Sequence, residues 1–404
     1  MQDNRLPGAD FLRATACLMV LSHHMLQRLD PAPLSDTAGW WLGFALTGSF
    51  GVTVFFVLSG YLLARPFWLA LDQGEPLPSL KTYALRRAAR ILPGFWLALT
   101  VSFVVGFTLL ESRFNGELVS RYLLGMALVG DWHWLALFPV DFNGPLWSIG
   151  FEISSYVFLP FCLALLFALR QAGWRARLVW CGVIVAVFCV HLLILNFLPV
   201  TTEGRGWRFG LIGGAKEWVP RFNPVGFFAI FALGALASGV QVMWRRHRSW
   251  GFDAVGFAGL ALSVLILLQW AENPAKEGFG LAGIPYAFPL FPMAIGLALA
   301  ALPQSVALGA LLDNRVSRFV ARISFGIYVW HYLVLELLRR FIDPRYQFAG
   351  MEDWGAWVWL SLLGGGITVA IATASYHWLE APVIAWARRR EGRRAAPEVV
   401  TAGA

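Results

Sequence analysis

Leu178–Leu198 reads LVWCGVIVAVFCVHLLILNFL, and none of its twenty-one residues is Asp, Glu, Lys or Arg. Wound as an α-helix at 1.5 Å per residue, such a run crosses a hydrocarbon core about 30 Å thick. Apolar runs of comparable length recur along the chain on both sides of it. In lipid only helices or closed barrels satisfy the backbone, and barrel strands would alternate apolar with polar residues, which these runs do not. The sequence therefore specifies an all-α, polytopic transmembrane helical bundle. Composition agrees, with 58% of the residues hydrophobic and only 14% charged.

Candidate helices fall at about 9–29, 44–68, 91–110, 118–138, 145–169, 178–198, 223–243, 252–270, 281–302, 319–341 and 355–386. Five basic clusters lie in or beside the connections. They are Arg65, Lys81, Arg86, Arg87 and Arg90; Arg170, Arg175 and Arg177; Arg245, Arg246 and Arg248; Arg315, Arg318 and Arg322; and Arg388, Arg389, Arg390, Arg393 and Arg394. The positive-inside rule puts all five on the cytoplasmic side. About ten crossings, with both termini cytoplasmic, satisfy that rule if 118–138 does not cross. That segment contains Arg121, Asp131 and His133, and is expected to be re-entrant or interfacial. The outer loops then include 199–221 and 339–354. Residues 1–387 form one membrane domain, and 388–404 read as a basic, disordered cytoplasmic tail.

The net charge of +8 does not point to nucleic acid, because the cations sit in short loops where they set orientation. Cys17, Cys162, Cys181 and Cys189 all lie inside apolar runs without metal-ligand spacing, and read as small buried hydrophobes. No metal site is expected. The N-terminus lacks a secretory signal pattern, since Asp10 and Arg13 interrupt its first apolar run.

Ionisable residues inside spans are costly and mark function by default. Asp10 and Arg13 are three apart and can pair on one helix face. His24 follows Arg13 by eleven residues, or about three turns, so the two share a face roughly 16 Å apart along the axis. Read alone, His24 is equally a polar residue at the membrane interface. In Gly51–Tyr61, Ser59 and Gly60 suit close helix packing. Arg87 and Arg90 face together and suit phosphate, although they also serve as positive-inside anchors. Glu152 and Tyr156 are four apart near Trp147 and Ser148. That carboxylate could orient an imidazole, act as a base, or belong to a structural network. Tyr328 and His331, and the late pair Glu380 and Pro382, read first as packing or interface residues.

Together these residues resemble acyltransferase family three, polytopic bacterial membrane enzymes that O-acylate surface glycans and related molecules. Asp10, Arg13 and His24 resemble the family's opening D-x-x-R-x(10)-H. Gly51–Tyr61 resembles its G-V-x-x-F-F-x-L-S-G-[FY], and Arg87 with Arg90 its R-x-x-R. Trp147, Ser148, Glu152 and Tyr156 resemble its L-W-[ST]-L-x-x-E region, and Tyr328, His331, Glu380 and Pro382 its closing motifs. One departure is Ile153, where many members carry a second adjacent acidic residue.

The resemblance implies an acyl-CoA donor, acetyl-CoA by default, held on the cytoplasmic side by Arg87 and Arg90 with Arg13. It implies an essential His24 and a location in the bacterial inner membrane. The acceptor would be a hydroxyl of a cell-envelope glycan or glycosylated molecule. On this reading His24 and Glu152 are the catalytic pair, with His24 as base or acyl carrier. Asp10, Ser59, Trp147, Tyr156, Tyr328 and His331 then support substrate. A secondary transporter is the alternative, but it would favour inverted repeats and broken helix pairs, and neither is visible. A lipid-linked glycosyltransferase would want carboxylates in a first outer loop, where this chain has only Asp30 and Asp36.

Overall fold

The computed structural model describes residues 6–32, 34–197, 221–272 and 278–395. Among these the chain is helical, and its β-structure is a single bridge between Leu29 and Met351. The helices are α1 (Ala9–Leu26), α2 (Asp36–Leu46), α3 (Gly51–Gln73), α4 (Leu80–Leu109), α5 (Gly116–Met126), α6 (Trp147–Ala168) and α7 (Gly173–Phe197). They continue with α8 (Pro224–Trp244), α9 (Trp250–Trp270), α10 (Leu290–Ala301), α11 (Leu308–Leu312), α12 (Arg315–Phe341), α13 (Trp354–Ser375) and α14 (Ala381–Ala395).

Eight helical runs among the described residues are long and apolar enough to cross a membrane. They are α2 with α3, α4, α6, α7, α8, α9, α12, and α13 with α14. Two further helices pack among them. One is α1, which carries Asp10, Arg13, His23 and His24 and lies against α12 and α3. The other is the shorter α10, against α9 and α8.

Local chemistry sets the helix starts. Asn115 accepts from the Leu118 amide at 2.8 Å, and Asn223 from the Gly226 amide at 2.9 Å with Pro224 at the first turn. Asn314 and Ser317 form a reciprocal capping box at α12. Gly60 lies so close to α8 that an added Cβ would meet the Phe231 carbonyl oxygen at 2.0 Å. This is the small-residue packing its sequence context suggested.

Several boundaries differ from the sequence reading. Loop 65–90 shrinks to the turn between α3 and α4, so Arg86, Arg87 and Arg90 stand on α4 and Pro93 lies inside it. The run 281–302 is helical only from Leu290 apart from a short turn, because Pro285 and Pro289 disfavour helix in the residues before them. Segment 118–138 is not one helix. The eleven residues of α5 extend about 16 Å, half a hydrocarbon core, and short 3₁₀ turns follow. The stretch from Arg388, expected to be disordered, is helical through Ala395, while 396–404 lie outside the described residues. The loop 199–221 lies outside them too, apart from Arg221. Of the cysteines only Cys17 is buried, and Cys189 is exposed on α7, because a lipid-facing apolar residue need not enter a protein core.

Basic clusters distant in sequence meet at one end of the bundle. Arg177 is buried there and paired with Asp72 at 2.6 Å, Arg65 donates to Gln241, and Arg86 pairs with Glu391 at 2.7 Å.

Candidate functional site

A cavity lies between α1, α3, α4, α6 and α12. Its charged lining consists of Arg13, Arg87, Arg90 and Glu152, and Ser59, Ser148, Tyr156, Ser324 and Tyr328 complete its polar wall. Ser59 donates to Glu152 Oε1 at 3.0 Å, and the Tyr156 hydroxyl donates to the same oxygen. Neighbours on α3 thus do different work, since Gly60 admits α8 while Ser59 turns to the carboxylate. Ser148 and Tyr328 share a 2.6 Å hydrogen bond, and Tyr328 also donates to the Pro145 carbonyl.

The three guanidinium groups make no hydrogen bond to a protein acceptor among the described residues, and Arg87 Nε is buried without a partner. Their charges act on one another across the cavity, and Asp10 acts on Arg13 without a hydrogen bond. Three cations facing one carboxylate leave an excess of positive charge. At the arginine-rich end the cavity meets a wider cleft at Arg87 and Arg90, whose far side is Arg388 and Arg389 on α14 and Tyr376. Tyr376–Glu380 form one widened π-turn, a local geometry frequent at functional sites, which leaves Glu380 fully buried beside Gly94 of α4.

His24 stands elsewhere, towards the other end of α1. The expected contact with Glu152 is absent, and its partner is His331 of α12. Carbonyl oxygens only accept, so the ring nitrogens facing them carry protons, an assignment made from the hydrogen-bond pattern. His331 Nδ1–H donates to the carbonyls of Ile327 and Tyr328 at 3.0 and 2.8 Å, which leaves Nε2 as an acceptor. His24 Nδ1–H is then shared between the Val20 carbonyl at 2.9 Å and His331 Nε2 at 3.0 Å. His24 Nε2 therefore holds a free lone pair, which is what a general base needs. Among the described residues no group of three or more His, Cys, Asp or Glu is placed to bind a metal.

Tyr328 connects the two regions. It lines the arginine cavity, and its ring centroid is 6.0 Å from that of His331, one turn further along α12. Trp147 is not part of either region, because it packs against Phe151, Phe222 and Phe227. Sequence reasoning assigned no role to Tyr332, whose ring stands edge-on to His24 at 5.1 Å, or to the buried Arg28–Glu336 pair. Both had a signal, since Arg28 follows His24 by one turn and Glu336 is a carboxylate inside an apolar helix.

The fold thus brings together an arginine-lined cavity inside a helical bundle of membrane-spanning type and, towards the other end of α1, a hydrogen-bonded histidine pair. Residues 6–377 match the model of a family described as an acyltransferase domain, family three, and the chain belongs to that family. It is 26% identical over 400 residues to "Acyltransferase MdmB" of Streptomyces mycarofaciens, covering 98% of this chain and 96% of that one. It is 26% identical to "Putative peptidoglycan O-acetyltransferase YrhL" of Bacillus subtilis, and 23% identical to "Putative O-acetyltransferase SACOL0978" of Staphylococcus aureus. Each of these two matches covers 96% of this chain, but the chain spans only 56% and 58% of their lengths.

Proposed function

We propose that this chain is an acyl-CoA-dependent O-acyltransferase of the bacterial cytoplasmic membrane, moving an acyl group, acetyl by default, to a hydroxyl of a cell-envelope glycan. The carrying observation is the cavity in which Arg13, Arg87 and Arg90 have no protein acceptor. Guanidinium groups bind phosphate through paired, charge-assisted bonds. The donor phosphates would lie there and in the adjoining cleft beside Arg388 and Arg389. Arg13 and His24 are roughly 16 Å apart along α1, so the donor must carry its reactive carbonyl on a long, thin arm. CoA does so. About ten crossings, with the basic clusters and both termini in the cytoplasm, put this cavity within reach of a cytoplasmic donor.

At the far end His24 Nε2 takes the acceptor's hydroxyl proton while that oxygen bonds to the thioester carbonyl carbon. The carbon–sulfur bond breaks and the proton passes on to the CoA sulfur. His331 holds the His24 ring and its tautomer, and is a positioning residue. Glu152, with Ser59 and Tyr156, balances the arginines and lines the path of the arm. The acceptor enters from the outer side, so CoA itself need not cross. A glycan acceptor is supported by the relative whose name specifies peptidoglycan.

The test uses membranes containing the chain, labelled acetyl-CoA and a cell-envelope extract. Wild type should label the glycan fraction, and His24→Ala should lower the rate about 10²–10⁴-fold while still binding acetyl-CoA. Full activity in that variant would remove His24 as base. No transfer by folded wild type, together with counterflow of a small solute in proteoliposomes lacking CoA, would make the chain a transporter.

A further inference from the structure

Opposite the arginine-rich end a second cleft opens beyond the end of α1, bounded by α5, α12 and the loop 343–352. Arg28, Arg121, Asp141, Tyr332, Arg339 and Phe348 line it. We propose that this cleft is the acceptor site and that its ligand is an uncharged, polyhydroxylated sugar. Its catalytic meaning rests on the acyltransferase reading, whereas its ligand chemistry stands apart from it.

The first argument is position. Tyr332 forms part of the cleft wall, stands edge-on to the His24 ring, and lies 5.2 Å beneath the Arg28 guanidinium. Tyr332 thus touches both the cleft and the His24 ring.

The second argument is charge. Arg28 donates to Glu336 Oε1 at 2.8 Å, Arg339 to Glu336 Oε2 at 2.7 Å, and Arg121 to Asp141 at 2.8 Å. No arginine here lacks a carboxylate, so a phosphate would find its cations already engaged. Each guanidinium nevertheless has five N–H donors and uses only one or two of them on the protein. The lining therefore offers both N–H donors and carboxylate acceptors, which suits hydroxyl groups that both give and accept hydrogen bonds.

The third argument is the platform. Phe348 is 72% exposed, yet the loop that carries it is tied to α1. The amides of Ala349, Gly350 and Met351 donate to the carbonyls of Gln27 and Arg28 at 2.8–3.1 Å. An exposed aromatic face held in place offers apolar contact to a pyranose ring without a cost of ordering.

The experiment uses purified full-length chain in detergent. Direct binding of chitotetraose and of N-acetylglucosamine 6-phosphate is measured by saturation-transfer NMR, and the acceptor KM in acetyl transfer is measured alongside. Wild type should bind chitotetraose in preference to the phosphate. Phe348→Ala and Asp141→Asn should each weaken that binding about 3–10-fold, the worth of one ordinary contact. Phe348→Ala should keep the wild-type thermal midpoint, whereas Asp141→Asn removes the carboxylate paired with buried Arg121 and should lower it; both should keep the acetyl-CoA KM. Unchanged chitotetraose binding in folded variants, preference for the phosphorylated sugar, or no sugar binding at all would each overturn the proposal. Binding that follows the expected pattern without any acetyl transfer would uphold the sugar site and remove the acyltransferase reading. Transfer with an acceptor KM indifferent to both variants would do the reverse.

Discussion

Arg13 and Arg28 sit at opposite ends of one helix, the first inside α1 and the second just past its C-terminus. Arg13 shares its cavity with Arg87 and Arg90, and none of the three has a protein acceptor. Arg28 is 3% exposed, bonded to Glu336 and to the Tyr346 carbonyl. Both arginines were costly to place in an apolar bundle. At one end that cost is met inside the protein by a carboxylate and a carbonyl. At the other the guanidinium groups have no protein hydrogen-bond acceptor among the described residues, which is what the proposed donor site requires.

The comparison makes opposite predictions for the two ends. The largest effect should come from Glu336→Ala, which removes the carboxylate that pairs with buried Arg28 and with Arg339. Breaking a buried pair costs about 3–5 kcal/mol, and the loss should appear as a marked fall in the thermal midpoint of the detergent-solubilised chain. An unchanged midpoint would break the comparison at its paired end.

Next is His331→Phe, which removes one of the two acceptors of the His24 Nδ1 proton and leaves only the Val20 carbonyl to hold the ring. The maximal rate should fall about 10²-fold with donor KM unchanged, within the range of losses seen when a base is disabled. His331→Gln, which keeps an acceptor, should recover part of it. A loss of donor affinity in place of rate would place His331 in the donor site.

Arg87→Gln and Arg90→Gln should each raise the acetyl-CoA KM roughly 10–100-fold, as expected for one charge-assisted bond. Arg87→Gln should not lower the thermal midpoint, because it breaks no protein hydrogen bond and relieves like charges, whereas Arg90→Gln also removes a charge that acts on buried Glu380 and should lower it slightly. Marked destabilisation by Arg87→Gln would mean that the cavity arginines are structural after all.

The smallest effect concerns the segment after α5, where the buried Asp131 is an exception to pairing. One of its oxygens accepts from Ser154 at 2.6 Å and the other has no partner. Burial pushes this carboxyl up from 3.8 to about 6, with the Ser154 bond opposing. The folded state then binds more protons than the unfolded state between those values, so stability falls as pH rises from about 4 to 6. Asp131→Asn should flatten that part of the stability profile. An unchanged slope would show that the segment after α5 admits solvent.

Much was legible in the chain because lipid imposes a one-dimensional constraint. Leu178–Leu198 must be a helix whatever surrounds it, and the same holds for most of the other apolar runs. The helical spacing of Arg87 with Arg90, and of Glu152 with Tyr156, likewise follows from 3.6 residues per turn. Proline-broken 281–302 was less legible, since hydropathy averages over the positions where backbone geometry fails. Pairings between helices were not legible at all. Glu152 looked like the partner of His24, because both are chemically suited and both were placed towards the outer side. Rotation and depth in the packed bundle instead set Glu152 against Ser59 and gave His24 to His331, 307 residues away. Sequence by itself determined that this is a helical membrane protein with arginine, histidine and carboxylate groups on particular helix faces. Only the tertiary structure decided which charges are answered within the protein, because that depends on distances of a few ångströms between helices whose separation along the chain carries no such information.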